Sequence, residues 1–190
     1  MDIVTKSAKG PVFTAFQVTP FEKPGPGERM RFEVNLVAEA LDGMRKQAVV
    51  EPNLPTWSPF SIVCDEGTAL GGTDEAPPPL GYLSAGIAFC LLTHISSFIR
   101  QKKLDVRSVR VEQRVNFSTT LVTDAEKKGV FNGACEGVET HVLVDTDESP
   151  DVVRDLVRCA EDACMAMQAI MNATPTNTQV HVNNEALETL

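Results

Sequence analysis

The sequence predicts an α+β fold in which groups of strands alternate with two long helices. Three observations lead to this prediction. The first third of the chain is rich in β-branched and aromatic residues, an uncharged apolar stretch covers residues 80–99, and a second helix start, SPDVVRDL, follows two further strand-like runs. Grouped strands favour antiparallel pairing over a parallel sheet. We therefore expect antiparallel sheets with a long buried central helix and a second long helix.

The N-terminal third reads as strands separated by turns. PVFTAFQVTPF is a β-branched and aromatic run, and apolar and polar residues alternate from Met30 onward. EKPGPGE lies between these runs, and its prolines and glycines predict a loop. Further strands are expected at residues 46–50 and 61–64. They flank EPNLPTWSP, whose prolines exclude a continuous helix or a central strand.

The central helix is predicted to begin near Pro79 and to end at about Lys103. Proline suits the first turn of a helix, and the cations at its C-terminal end complement the helix dipole. Residues 80–99 approach the length of a membrane span. Their glycine, serine, threonine and histidine content favours instead a buried central helix of a soluble protein, apolar on all sides.

The remaining elements are two strands, a helix and a short last strand. The strands are expected at residues 106–119 and 134–144, joined by a charged turn around residues 124–129. The helix begins with Ser149 as its N-cap and Pro150 in its first position. We expect it to run without interruption through both of its cysteines to about residue 172, before the strand TQVHVN. No repeat divides the sequence, so a single domain over residues 1–190 is expected.

Composition excludes several classes of function. The chain has 17 Lys and Arg against 26 Asp and Glu, a net charge of −9, so its surface repels phosphate backbones and nucleic-acid binding is not expected. Five cysteines at irregular spacings, and an N-terminus without an apolar signal segment, favour reduced thiols in a cytoplasmic protein. The sequence contains no CxxC, HxxxH or phosphate-loop motif, so we expect neither a metal nor a nucleotide cofactor.

Two cysteines lie within the predicted helices and point to thiol chemistry. Cys90 follows GYLSAGIAF, and Cys164 lies in AEDACMAMQAIM. A free cysteine, with a pKa of about 8.5, is mostly protonated at neutral pH and reacts only as the thiolate, so a cation near Cys90 is needed. His94 lies on the same helix face as Cys90, although a hydrogen-bonded core or interface histidine is the more ordinary interpretation. A plain core role for Cys90 is also open, since free cysteines are often buried.

Three segments together resemble the OsmC/Ohr family, named for osmotically inducible protein C and organic hydroperoxide resistance protein. They are ALGGTDEAPPPLGYLSAGIAFC, RQKKLDVRSVRVE and SPDVVRDLVRCAEDAC, and NATPTNTQVHVN looks like the family's closing segment. The match is weak over residues 1–42. The resemblance implies an OsmC-like α+β fold assembled as an intertwined homodimer. It also implies that Cys90 is a peroxidatic cysteine, Cys164 a resolving cysteine and Arg45 the residue that stabilises the thiolate.

The resemblance further implies reduction of small apolar hydroperoxides in oxidative-stress defence, with an external dithiol reductant. The sequence departs from the family at two places. Pro79-Leu80-Gly81 stands where hydroperoxide reductases carry a glutamate that orients the arginine, and Met165 replaces the proline that usually follows the second cysteine. Loop residues that could substitute for the glutamate are Glu66, Asp74 and Glu75.

The sequence is also compatible with two other functions. The missing glutamate leaves open a non-catalytic OsmC-like protein that binds a small ligand while its cysteines stay inert. Cysteine-dependent hydrolysis ranks below both, because no Cys-His-Asp arrangement is evident in the sequence.

Overall fold

The computed structural model describes residues 2–120, 133–183 and 185–187. It confirms a mixed helical and stranded fold with antiparallel sheets and long helices. The backbone forms two compact units, Met1–Tyr82 and Leu83–Leu190.

The N-terminal unit contains a four-stranded antiparallel sheet. Its strands are β1 (Val4–Lys6), β2 (Val34–Ala40), β3 (Lys46–Pro52) and β4 (Phe60–Cys64), in the spatial order β1-β4-β3-β2. A tight hairpin joins β2 to β3, closed by the Leu41 N–H, which donates to the Arg45 carbonyl at 2.9 Å. Gly43 in this hairpin has a φ of 63°, a left-handed conformation that glycine adopts without strain. The hairpin places Arg45 immediately before the start of β3.

The prediction of a strand in PVFTAFQVTPF is wrong, because residues 7–33 contain no regular strand. Side chains replace the ladder of backbone hydrogen bonds there: the Thr19 N–H donates to the Glu33 carboxylate at 3.3 Å, and Asn53 Nδ2 donates to the Thr19 carbonyl at 2.8 Å. The prolines of this segment lack the N–H donors that a strand needs. The following strand begins at Val34 and not at Met30, and just before it the Glu33 N–H donates to Asn53 Oδ1 at 2.8 Å.

The first helix, α1 (Pro79–Lys102), begins where the prolines predicted. The expectation that it is buried on all sides is wrong for the single chain. Only the stripe Ile87, Leu91 and Ile95, spaced four residues apart, is fully buried, whereas Leu83 and Phe89 are exposed. By length and composition α1 could also cross a membrane, a test that core helices of soluble proteins pass as well.

The C-terminal unit contains a long two-stranded ribbon of β5 (Val106–Thr119) and β6 (Gly133–Thr146), paired antiparallel. The charged turn predicted around residues 124–129 lies outside the described residues. Alternation along β5 turns Val109 and Val111 toward the hydrophobic core and Arg110 to the other face, where it pairs with Glu112. Arg107 lies in a register irregularity near the start of the strand and pairs with Asp145. Near the C-terminus, β7 (His181–Val182) and β8 (Glu185–Ala186) form a small hairpin.

The second helical region is divided into two helices. The first, α2 (Pro150–Ala163), begins as predicted, with Ser149 Oγ accepting a hydrogen bond from the Val152 N–H. The prediction of one continuous helix is wrong, because Cys164 interrupts it and α3 (Met165–Met171) follows. The core of this unit lies where these helices meet α1, and its fully buried members are Leu91, Ile95, Leu156, Ala160 and Cys164.

Candidate functional site

The structure brings Cys90 and Cys164 together. Cys164 is fully buried in the core between α1 and α2, and Cys90 on α1 packs against the same core while keeping partial exposure. The Cys90 thiol is close enough to contribute to the raised pKa of the Cys164 thiol, and neither cysteine forms a disulfide. A partly exposed cysteine therefore packs against the cluster that holds a cysteine shielded from solvent.

The helix break at Cys164 turns this cysteine into the core. Its ψ angle of 102° is far from the helical value, and its N–H bonds to the Glu161 carbonyl at 3.1 Å in a tightened last turn. Gln168 Nε2 donates a second hydrogen bond to the same carbonyl at 3.3 Å. The helix is thus interrupted without a proline, since Met165 follows Cys164. The Gln168 side-chain amide takes the place of a backbone donor to the Glu161 carbonyl at the break.

Burial raises the pKa of the Cys164 thiol, because a thiolate in the core would lose its hydration. The backbone N–H of Met167 opposes the shift, and the neighbouring Cys90 reinforces it. At neutral pH Cys164 is therefore held as a neutral thiol. Because the thiolate and not the thiol is the nucleophile, the Cys164 sulfur is not expected to be the first of the two to attack.

Arg45 lies in the N-terminal unit and faces Glu75. The guanidinium Nη1 and the Glu75 Oε2 are 3.6 Å apart, and the two side chains are 28% and 68% exposed. With Ile3, Val63 and Ala76 they line a cavity of about 270 Å³. Of the three carboxylates proposed from the sequence as substitutes for the family glutamate, Glu75 pairs with Arg45 and Glu66 pairs with Lys46 at 3.1 Å.

The sequence reasoning missed Asp65. This carboxylate is fully buried, and its Oδ2 accepts hydrogen bonds from the Thr73 hydroxyl at 2.6 Å, the Thr73 N–H at 2.9 Å and the Glu75 N–H at 3.4 Å. The hydrogen bond from the Thr73 hydroxyl is the largest of the contributions that lower the pKa of Asp65. Together with the backbone N–H groups of Glu66, Thr73 and Glu75, it holds this pKa well below its usual range despite burial. An aspartate just before a glycine-rich loop that contains threonine was the available sequence signal.

His94 is placed one turn beyond Cys90 on α1 and is partly buried. It is not a member of the hydrophobic core that holds the two thiols. Within the described residues, no group of three or more His, Cys, Asp or Glu side chains is arranged to hold a metal ion.

Comparison with known proteins identifies the family. A family model described as OsmC-like protein matches residues 72–179, which include both cysteines. The chain belongs to the OsmC-like protein family. A search of curated protein sequences gave no match.

Several solved structures share the fold of this OsmC-like chain. An OsmC-like hydroperoxide resistance protein from Jannaschia sp. CCS1 is 22% identical, with a TM-score of 0.52 over 82% of this chain and 95% of that one. An organic hydroperoxide resistance protein from Elizabethkingia anophelis is 17% identical, with a TM-score of 0.51 over 75% and 90% of the two chains. An OsmC-like protein from Mycoplasma pneumoniae is 15% identical, with a TM-score of 0.50 over 73% and 87%. At these identities the likeness establishes the fold.

The environment of Cys164 predicts slow alkylation in the native protein. We expect iodoacetamide to modify Cys164 much more slowly than the exposed Cys135, because the Cys164 sulfur is buried and its pKa is raised. As pH increases, the Cys164 rate should rise with a midpoint above the ordinary thiol value of about 8.5. Quantitative peptide mass spectrometry over a pH series measures both rates. In denaturant the two cysteines should react alike, and equal rates in the native protein would contradict the placement of Cys164.

Proposed function

We propose that this OsmC-like protein is a two-cysteine peroxidase that reduces small organic hydroperoxides. The observation that carries the proposal is the contact between the accessible Cys90 and the buried Cys164. A pair of thiols within reach of each other can store two electrons and release them as a disulfide forms. The hydroperoxide resistance proteins from Jannaschia and Elizabethkingia share the fold and support the same class of reaction.

In the first step, the Cys90 thiolate attacks the terminal oxygen of the hydroperoxide. A sulfur–oxygen bond forms, the oxygen–oxygen bond breaks, and the alkoxide leaves as an alcohol after taking a proton. Cys90 becomes a sulfenic acid, oxidised by two electrons. The raised pKa of Cys164 favours this order, because the neutral, buried thiol is not the first to attack.

In the second step, the Cys164 sulfur attacks the sulfenic sulfur of Cys90. A disulfide forms, and the hydroxyl of the sulfenic acid leaves with a proton as water. An external dithiol then reduces the disulfide by thiol–disulfide exchange and restores both thiols. Because Cys164 already contacts Cys90 in the reduced state, we expect resolution to be fast compared with further oxidation of the sulfenic acid.

Arg45 is proposed as the cation that stabilises the Cys90 thiolate, and Glu75 as the carboxylate that orients Arg45. Glu75 thereby replaces the glutamate that the family carries at the position of Leu80. The support is the ion pair within the N-terminal unit, together with the family resemblance of the Asp42-to-Arg45 segment. An arginine suits this role because it stays charged at every pH at which the reaction runs.

A homodimer in the cytoplasm is proposed as the working form. The exposed apolar residues of α1, among them Leu83 and Phe89, leave part of this helix uncovered in the single chain. A second copy related by twofold symmetry would cover this surface with the same residues, which is the commonest arrangement of soluble oligomers.

Peroxide-dependent cross-linking tests the proposed reaction. After one equivalent of cumene hydroperoxide, we expect non-reducing peptide mapping to show a Cys90–Cys164 disulfide and an equal amount of alcohol product. Cys90→Ser should abolish both, whereas Cys159→Ser, which alters a cysteine on α2 shortly before Cys164, should leave both in place. Arg45→Met should slow formation of the link. Intact thiols and unconsumed hydroperoxide in the wild type would refute the peroxidase and favour a ligand-binding protein with inert cysteines.

Substitution on α1 tests the dimer. We expect the wild type to sediment at twice the chain mass, and Phe89→Ser to shift the equilibrium toward monomer because it removes apolar contact area. Met171→Ser is the matched control, since Met171 is 68% exposed and Phe89 is 67% exposed. A wild type that sediments as a monomer would rule out the dimer, and an equal response of the two variants would rule out α1 as its interface.

A further inference from the structure

The loop between β4 and α1 is folded around a single buried carboxylate. The chain leaves β4 at Cys64, makes a 3-10 turn over Thr68–Leu70 and returns so that Thr73 and Glu75 donate to Asp65 Oδ2. Asp65 Oδ1 is buried and makes no well-aligned hydrogen bond within the described residues, although the Glu66 N–H lies close enough to favour the negative charge. A carboxylate is thus kept inside the unit, where its charge depends on these few donors.

The backbone of this loop can adopt its path only with particular residues. Gly71 has a φ of 83°, and a side chain at Gly72 would come within 1.8 Å of the Glu66 carbonyl oxygen. Asp74 is left-handed, with a φ of 59°, between the two residues that donate to Asp65. A non-glycine residue in this conformation is uncommon and persists where surrounding contacts fix it. The contacts that fix it here are the bond from the Asp74 N–H to the Glu66 carbonyl at 3.1 Å and, on either side, those of Asp65 with Thr73 and Glu75.

The Arg45–Glu75 pair is too weak to place Glu75 unaided. The charged atoms are 3.6 Å apart, and the Glu75 side chain is largely exposed. Exposed ion pairs of this kind contribute at most about 1 kcal/mol. The backbone N–H of Glu75, in contrast, donates directly to Asp65. Thr73, two residues earlier, donates to the same carboxylate through both its hydroxyl and its N–H. The position of the Glu75 carboxylate therefore follows from the conformation of the loop.

We propose that Asp65, through its hydrogen bonds to Thr73, is a positioning residue that holds Glu75 opposite Arg45. This inference rests on the proposed function for its effect on catalysis. Asp65 is fully buried and is not proposed to touch the substrate. It acts by fixing the loop so that Glu75 limits the conformations of the Arg45 guanidinium, a side chain that otherwise has large rotational freedom. Loss of the Asp65–Thr73 bond should therefore act on the same step as loss of the Glu75 carboxylate.

A double-mutant cycle between Thr73→Val and Glu75→Gln tests the inference. Thr73→Val keeps the shape of the side chain and both backbone donors to Asp65, and removes only the hydroxyl that donates at 2.6 Å. We expect each single variant to lower kcat/KM for cumene hydroperoxide about tenfold, since small misplacements of catalytic groups have effects of this size or larger. The double variant should lose little more than either single variant, because both act through Arg45.

Two matched variants separate positioning from general damage to the loop. Thr73→Ser keeps the hydroxyl and should restore most of the rate. Thr68→Val removes a hydroxyl from an exposed threonine of the same loop and should match the wild type. A Thr73→Val variant as active as the wild type would overturn the inference, as would losses that multiply to about a hundredfold in the double variant, the additive result for independent sites.

A readout that does not depend on peroxidase activity completes the test. The Arg45 Nε–Hε resonance, assigned by its loss in Arg45→Lys, should shift when Glu75→Gln is introduced into the wild type, and the same substitution should produce a smaller shift in Thr73→Val. If the wild type consumes no hydroperoxide but the resonance behaves in this way, the proposed function fails and the positioning role stands. An identical shift in the wild type and Thr73→Val would overturn the positioning role even in an active enzyme.

Discussion

The packing of α1 against the break between α2 and α3 is the constraint on which the candidate site depends. Leu91 and Ile95 on α1 meet Leu156 and Ala160 on α2, and all four are excluded from solvent. Burial of each of the leucine and isoleucine side chains contributes roughly 1.5–3 kcal/mol, so the two helical segments are held in one register. Cys164 lies at the end of this contact, where the chain leaves the helix. The position of its sulfur is thus set by the core and not by an exposed loop.

This arrangement places the sulfurs of Cys90 and Cys164 in different environments. A shared core contact brings them within reach, while the difference in exposure makes one available to reagents and keeps the other neutral. Two thiols of equal exposure would compete for the same oxidant. The proposed order of oxidation rests on burial, since a thiolate is costly in the core and a neutral thiol is not. Placement by apolar packing is also compatible with disulfide formation, because a disulfide is itself apolar and needs no hydration.

The N-terminal unit has few buried apolar side chains and is organised around a buried carboxylate. Only Val63 and Ala76 are buried apolar residues among its described positions, whereas the fully buried Asp65 collects three hydrogen bonds from one loop. Hydrogen bonds to a charged acceptor are about twice as strong as neutral ones and are more directional. A loop without regular structure can therefore be held in a defined conformation. The ion pair of Arg45 with Glu75 is a consequence of that loop conformation.

The sequence predicted those elements whose signals are local. Pro79 opens α1 and Ser149 caps α2, and alternation gave β5 its limits, because capping and side-chain period depend on neighbouring residues. The break at Cys164 could not be predicted, since neither glycine nor proline marks it. Gln168, whose side chain donates to the Glu161 carbonyl at the break, is an ordinary helix former. The ends of β2 and the irregular arm before it depend on long-range contacts such as that of Asn53 with Thr19.

The same distinction between local signals and long-range contacts applies to the candidate site. Cys90 and Cys164 were named from the sequence because reactive residue types on two helices leave a visible signal, and the structure brings their sulfurs together. The choice of Glu75 among three acidic residues, and the presence of Asp65 beneath the loop, depend on how a glycine-rich segment folds back on β4. The periodicity of apolar residues in the sequence carries no information about the path of such a loop.

The central claim is that Cys90 is oxidised first and Cys164 resolves it. Trapping the intermediate in Cys164→Ser tests this most directly: one equivalent of cumene hydroperoxide is added together with dimedone, which reacts with sulfenic acids, and peptides are analysed by mass spectrometry. The account predicts a dimedone adduct on Cys90 in this variant, and a far smaller one in the wild type, where Cys164 competes for the sulfenic acid. An adduct on another cysteine, or none with the hydroperoxide unconsumed, would contradict it.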